Sequence, residues 1–220
     1  MDLEADDDCD WLIPPSTVSD PEAWDKYWQD QFEHDVIGFV DIFCNTGVLV
    51  DAMRANGLRT VLCVGSGVSM EPRALESAGF EVTALDLSPL AMEVLRINTP
   101  QPEYLADFLS GRPLAEGGSL TIVAGDLLDE TTCPGPYDVI IERRTLQLFV
   151  GSDLPRAIDA VAKRMGDPSV LMSQSHDGAW RPPAQPRNKV AECLTGLCWE
   201  PWNGRTPLAG RVAWTMTTTG

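Results

Sequence analysis

Residues 61–69 read VLCVGSGVS, an apolar run that breaks on two glycines two positions apart. The helical pattern MEPRALESA follows at once. Few folds accommodate this. Val61 to Val64 are consecutive and apolar, so a strand built from them must be covered on both faces. Gly65 and Gly67 permit a turn too tight for residues with side chains. A helix starting near Ser69 then aims its free N–H groups, and the positive end of its dipole, back at that turn. The next apolar run, EVTALD (81–86), closes on Asp86, 19 residues beyond Gly67.

The alternation continues along the chain. LTIVAG (120–125), YDVIIE (137–142) and SVLMSQS (169–175) read as strands. TGVLVDAMRAN (46–56), the segment from Ser88 to about Ile97, and PRAIDAVAKRM (155–165) read as helices, with shorter ones expected at 103–109 and near 187–196. Ser88 and Pro89 make a helix start, and Gly57 and Gly79 make stops. This predicts an α/β, Rossmann-like, mostly parallel sheet with helices on both faces. The final β-like runs, 197–202 and 211–218, have no helix between them and predict a hairpin, with one of the late strands antiparallel.

Ahead of this core, PEAWDKYWQDQFE (21–33) predicts a helix with Asp20 as N-cap and Pro21 in its first turn. Trp24, Tyr27, Trp28 and Phe32 recur at helical spacing and share one face. The expected division is an acidic tail plus N-terminal helical cover at 1–45 and an α/β domain at 46–220.

Charge narrows the partners. The net charge is −17, and residues 1–35 alone carry twelve acids against one base, Lys26. Such a chain repels phosphate backbones, so nucleic acid is not an expected partner. The run DDDCD reads as a solvated tail. No apolar run approaches the roughly 18 residues of a membrane span. The N-terminus lacks the basic and apolar parts of a secretory signal, so the expected location is cytoplasmic. A monomer is the expected state, although nothing in the sequence fixes it. The six cysteines form no CxxC pair, and Cys193 and Cys198 lack partners at zinc spacing, so neither a metal site nor a disulfide framework is expected.

Several residues point to chemistry. Asp86 is placed to accept hydrogen bonds from ribose hydroxyls, and Asp126, within GDLLD (125–129), follows the third strand to the same rim. A dinucleotide site would have a third glycine where Met70 stands. Glu142, Arg143 and Arg144 follow directly on the apolar half of YDVIIERRTLQLF. Glu142 and Arg143 are expected to pair, so that neither is buried alone; for Arg144 two readings stay open, a side chain pointing outward to solvent or one that binds an acidic acceptor. His34 and His176 are the only histidines, and His176, in SHDGAWRPP, is a candidate base at the substrate rim, near Trp180 and Arg181.

A helix before the first strand, the GxG turn and a terminal hairpin resemble class I S-adenosylmethionine-dependent methyltransferases, over roughly residues 46–218. The resemblance implies seven strands in the order 3-2-1-4-5-7-6, with strand 7 antiparallel. The Trp24-x-x-x-Trp28 segment with Phe32 and His34, the stretch VSMEPRALESAGFEV (68–82) and the pair Glu142-Arg143 are similar to thiopurine methyltransferase-like proteins. Glu142 stands where Asp is more usual, Gly65 where a bulkier residue is common, and Arg144 is extra.

The resemblance implies S-adenosylmethionine as cofactor, with Trp24 and Trp28 at its border and Gly65 and Gly67 against its methionine part. Asp86 would hold the ribose, and Asp126 and Leu127 would frame the adenine. Ser66 and Leu87 complete the expected cofactor set. Arg143 would face both cofactor and acceptor, and Arg143, Glu142 and His176 are the candidate catalytic residues. The acceptor is expected to be a small molecule with a soft nucleophile, such as a thiol. Alternatives are a protein or amine N-methyltransferase, a non-catalytic S-adenosylmethionine-binding protein, and a nicotinamide oxidoreductase.

Overall fold

The computed structural model describes residues 14–15, 18–34, 46–176, 187–197 and 199–218. The DDDCD tail, Trp180, Arg181 and Cys198 lie outside the described residues.

Helix α1 (Pro21–Glu33) starts as its sequence dictates: Asp20 accepts from the backbone N–H of Glu22 at 3.1 Å and of Ala23 at 3.2 Å. Helix α2 (Thr46–Ala55) leads to β1 (Thr60–Val64), then α3 (Glu71–Ser77) and β2 (Glu81–Asp86). Helices α4 (Pro89–Ile97) and α5 (Pro102–Phe108) precede β3 (Ser119–Ala124) and β4 (Tyr137–Arg143). A short 3-10 turn (Leu146–Leu148), α6 (Asp153–Lys163), β5 (Met165–His176), α7 (Arg187–Gly196), β6 (Glu200–Pro201) and β7 (Arg211–Thr218) complete the chain. Ser88 caps α4, its hydroxyl accepting from Ala91 N at 3.0 Å.

The seven strands form one sheet in the order β3-β2-β1-β4-β5-β7-β6. Strand periodicity divides the core in two. Val61, Cys63, Val139, Ile141, Val170 and Met172 face one side, where they meet Leu49, Met53, Leu75, Met92 and Leu95 of α2, α3 and α4. Leu62, Val64, Ile140 and Leu171 face the other, against Leu154, Ile158 and Val161 of α6 and Val190 and Leu194 of α7. Each fully buried Leu or Ile contributes about 1.5–3 kcal/mol through the water it no longer meets.

The order is the expected one, but the last strand is not antiparallel. β7 runs parallel to β5, from Ser169↔Arg211 to His176↔Thr218, and parallel to β6. A parallel neighbour ordinarily needs a crossover of a dozen or more residues. Here β6 is only Glu200–Pro201, so the chain has little length to retrace, and residues 202–210 suffice. That return is fixed locally. Trp202 N donates to Ala213 O at 2.8 Å, Trp202 Nε1 donates to Thr206 O at 2.9 Å, and the Trp202 and Trp214 rings pack edge-on at 5.5 Å.

All seven strands therefore run in one direction, and α1 lies over the rim where β1, β2 and β4 end. Asp25 of α1 accepts from Ser88 Oγ and from Leu90 N at 3.0 Å, fastening α1 to the start of α4. Among the described residues, no helix is long and apolar enough to cross a membrane.

Candidate active site

The carboxyl ends of β1, β2 and β4 and the inner face of α1 enclose one cavity. Its walls include Trp24, Trp28, Gly65, Ser66, Gly67, Asp86, Leu87, Asp126, Leu127 and Arg143. Every residue expected to touch the cofactor is thus brought to one place.

The glycine turn is held from two sides. Gly65 and Gly67 have φ values of 60° and 51°, which residues with side chains avoid. A Cβ on Gly65 would collide with Thr145 Oγ1, and a Cβ on Gly67 would lie 2.5 Å from Trp28 Cζ2. Thr145 is itself tied to the end of β1, donating from Oγ1 to Val64 O at 3.2 Å. The turn is therefore bare because Thr145 and the Trp28 indole occupy the space.

Asp86 closes β2 with its carboxylate turned into this structure. Its oxygens accept from Gly67 N at 2.8 Å and Ser88 N at 2.9 Å. Burial pushes its pKa above the usual carboxylate value, against the pull of those backbone donors. Asp126 accepts from Leu128 N at 2.8 Å, which shapes the turn that presents buried Leu127 to the cavity.

Two buried polar atoms in the wall, Trp28 Nε1 and Ser66 Oγ, have no hydrogen-bond partner among the described residues. Unpaired buried donors are costly, at about 1–3 kcal/mol each, and such atoms mark where a ligand would complete the bonding. On α1, Tyr27 packs edge-on between Trp24 and Trp28, at centroid distances of 5.5 and 5.4 Å.

The charged cluster after β4 is wired differently from the expectation. Side chains alternate across a strand, so Glu142 and Arg143 point to opposite faces of the sheet and do not pair. Glu142 is fully buried and accepts from Ser173 Oγ and from the backbone N–H of Thr145 and Leu146, both at 3.0 Å. It shapes the turn leaving β4 and is not part of the cavity wall. Burial raises its pKa.

Arg143 pairs with Glu71 at the start of α3. Its Nε lies 2.6 Å from Glu71 Oε2, and its Nη2 contacts Glu71 Oε1. Gln174 accepts from Nη1, and Thr46 Oγ1 donates to Glu71 at 2.7 Å. The two side chains are only 9% and 5% exposed. Burial opposes the Arg143 charge, but Glu71 outweighs it and holds the guanidinium protonated. Arg144 leaves the strand with φ 65°, donates its backbone N–H to Gln174 O at 2.7 Å, and lines the cavity.

His176 ends β5 at the same rim, but its side chain lies outside the described part of the structure. His34 is an exposed residue closing α1. Glu71, Asp25 and Thr145 carry no signal of their own for these roles in the sequence, and Tyr27 is marked there only as part of the aromatic face of α1. Glu71 reads as an ordinary first-turn acid, and the one available signal was the buried charge of Arg143, which demanded an acid from somewhere.

The strand order and the site at the carboxyl rim define a Rossmann-like methyltransferase fold. No protein-family model and no curated protein matches the chain. Among solved structures, a TehB-like SAM-dependent methyltransferase from Corynebacterium glutamicum is 16% identical, with 80% of this chain and 82% of that one covered and a TM-score of 0.49. A magnesium protoporphyrin IX methyltransferase from Synechocystis is 18% identical, with 79% and 71% covered and a TM-score of 0.45. A structure tied to conversion of a disulfide bond into a thioacetal group during echinomycin biosynthesis is 27% identical, with a TM-score of 0.41. That match covers 56% of this chain and 48% of the other, so the chain spans about half that protein's length. With TM-scores below 0.5, these likenesses add no weight to the strand order and wall residues of the chain itself.

Proposed function

We propose that the chain is an S-adenosylmethionine-dependent methyltransferase acting on a small molecule at a soft nucleophile, such as a thiol. The supporting observation is a single cavity that joins a side-chain-free turn after β1, an acid ending β2, an Asx turn after β3 and an aromatic face on α1.

The residues present fit that cofactor. Gly65 and Gly67 leave backbone exposed for its methionine part, and the unpartnered Ser66 Oγ and Trp28 Nε1 offer polar contacts beside it. Asp86 has two bonds to backbone N–H groups, and a carboxylate offers about four acceptor sites, so it retains capacity for ribose hydroxyls. Leu87 follows it in the wall, Asp126 and Leu127 form the adenine end, and Trp24 and Trp28 border the site. The bound cofactor supplies a methyl group on a positively charged sulfur that leaves neutral, so no acid is needed for the leaving group.

The protein's task is then alignment and exclusion of water. Holding two reactants in line contributes up to about 7–11 kcal/mol in favourable cases. α1, fastened through Asp25, covers the cavity and excludes solvent. Arg143 acts through its ion pair with Glu71, which locks the start of α3, and hence the glycine turn, to β4. Glu142 sets the turn carrying Arg144 and Thr145. A thiol must lose its proton before attack, and His176 is the proposed base.

Thermal shift tests this reading. S-adenosylmethionine and its demethylated product should raise Tm with concentration, as a ligand of the native state must. Stabilisation by NAD alone would overturn the proposal. A thiol, phenol and amine panel then identifies the acceptor atom.

A further inference from the structure

Position 27 calls for an aromatic ring, but nothing in the packing calls for a hydroxyl. The Tyr27 ring stands edge-on to Trp24 and Trp28, and the residue is only 9% exposed. A phenylalanine would fill the same place. The hydroxyl has no hydrogen-bond partner among the described residues, yet it is not one of the fully enclosed orphan atoms such as Trp28 Nε1 and Ser66 Oγ. Its oxygen therefore opens into the cavity that the ring lines. A hydroxyl drawn out of bulk water and left without a partner is costly, so its retention in a cavity wall points to a ligand.

Strand order places that hydroxyl within the cavity. β1 carries the glycine turn, and Asp86 and Asp126 follow β2 and β3 on one side of it, whereas β4 lies on the other. A cofactor held by those residues runs from β1 towards β3 and leaves the β4 end to the acceptor. Trp28 stands over Gly67 of the glycine turn. Tyr27 is one residue back on α1, about 100° round the helix, and its phenol lies within electrostatic reach of Arg144 at the turn leaving β4. Leu148 and Phe149 continue the wall beyond that turn. Burial raises the Tyr27 pKa and outweighs the opposing pull of the Arg144 charge, so the hydroxyl keeps its proton at neutral pH and serves as a donor, not as a base. A thiolate entering between these apolar walls loses its water and needs such a donor.

We infer that Tyr27 is a catalytic residue at the acceptor end of the cavity, whose hydroxyl donates to the nucleophilic sulfur of the acceptor and holds it in line with the methyl group. This rests on the methyltransferase reading above. The thiol proton passes first to the base, for which His176 is proposed. The thiolate sulfur then bonds to the methyl carbon as the bond from that carbon to the cofactor sulfur breaks, and the electron pair stays on the departing neutral sulfur. Tyr27 gives up no proton at any point. Its hydrogen bond weakens as the charged thiolate becomes a neutral thioether, which favours release of the product.

Tyr27→Phe keeps the ring and removes only the hydroxyl. Calorimetric titration should show S-adenosylhomocysteine bound to this variant within about twofold of the wild type. With the full chain saturated in S-adenosylhomocysteine and thiophenol as the probe, the ultraviolet absorbance of the thiolate then reports ionisation against pH. The wild type should lower the midpoint of the bound thiol below that in buffer, and Tyr27→Phe should tighten proton binding to the sulfur at least tenfold, a rise of about one pH unit. Methyl transfer to thiophenol at a pH below the midpoint should fall at least tenfold as well. A wild-type titration equal to that in buffer, a Tyr27→Phe titration equal to the wild type's, or a Tyr27→Phe variant that loses S-adenosylhomocysteine affinity, which would make the hydroxyl a cofactor contact, overturns the inference. Failure of the wild type to bind S-adenosylhomocysteine sinks the methyltransferase reading itself, whereas a missing shift in a wild type that binds it sinks only the role of Tyr27.

Discussion

Glu71 and Arg143 hold each other across the rim of the sheet, 72 residues apart in sequence, with Arg143 Nε 2.6 Å from Glu71 Oε2. Both are buried, so neither can be removed cheaply: breaking such a pair costs about 3–5 kcal/mol because the survivor is left charged and unpaired. Denaturant unfolding of Glu71→Gln and Arg143→Met should show losses of that order, and the double variant should lose less than their sum. Additive losses would mean that the pair is not a unit.

Gly67→Ala forces a methyl group against the Trp28 indole on a backbone at φ 51°. The left-handed conformation alone costs about 1–2 kcal/mol for a residue with a side chain. Calorimetric titration should show S-adenosylmethionine bound at least tenfold more weakly, with a changed tryptophan emission. Unaltered affinity would place the cofactor elsewhere.

Asp25 fastens α1 through Ser88 Oγ and Leu90 N. Asp25→Ala leaves those donors unsatisfied, at a cost of about 1–3 kcal/mol. Amide exchange across residues 21–33 should speed up while β1 and β4 keep their protection. Unchanged exchange would show that packing alone holds the helix.

Glu142 makes stability depend on pH in a definite direction. Its folded-state pKa is raised above the ordinary 4.5 by burial, so over the window just above 4.5 the native state keeps a proton that the unfolded chain has released. Its contribution is complete below 4.5 and is lost as pH rises through the folded-state value. Glu142→Gln removes this titration. The Tm of the variant relative to wild type should therefore climb as pH rises through the window, and a flat difference would contradict the assignment.

What could be read from sequence was mostly local. Asp20 as N-cap, the strand and glycine turn of VLCVGSGVS, and Asp86 at the end of β2 each depend on neighbours within a few positions. Contacts between distant segments were not legible. The Trp28 ring over Gly67 and the Glu71–Arg143 pair require knowing which elements meet. The expected Glu142–Arg143 pair ignored strand alternation, which sends consecutive side chains to opposite faces. The orientation of β7 was misjudged because two β-like runs without a helix read as a hairpin, and the shortness of β6 was not evident.

The most direct measurement is methyl transfer from S-adenosylmethionine to a panel of thiols, phenols and amines, run on the wild type and on Asp86→Ala. The account predicts transfer to a thiol by the wild type, with cofactor affinity falling at least tenfold in Asp86→Ala. Failure of the wild type to bind S-adenosylmethionine, or affinity untouched by loss of the Asp86 carboxylate, would contradict it.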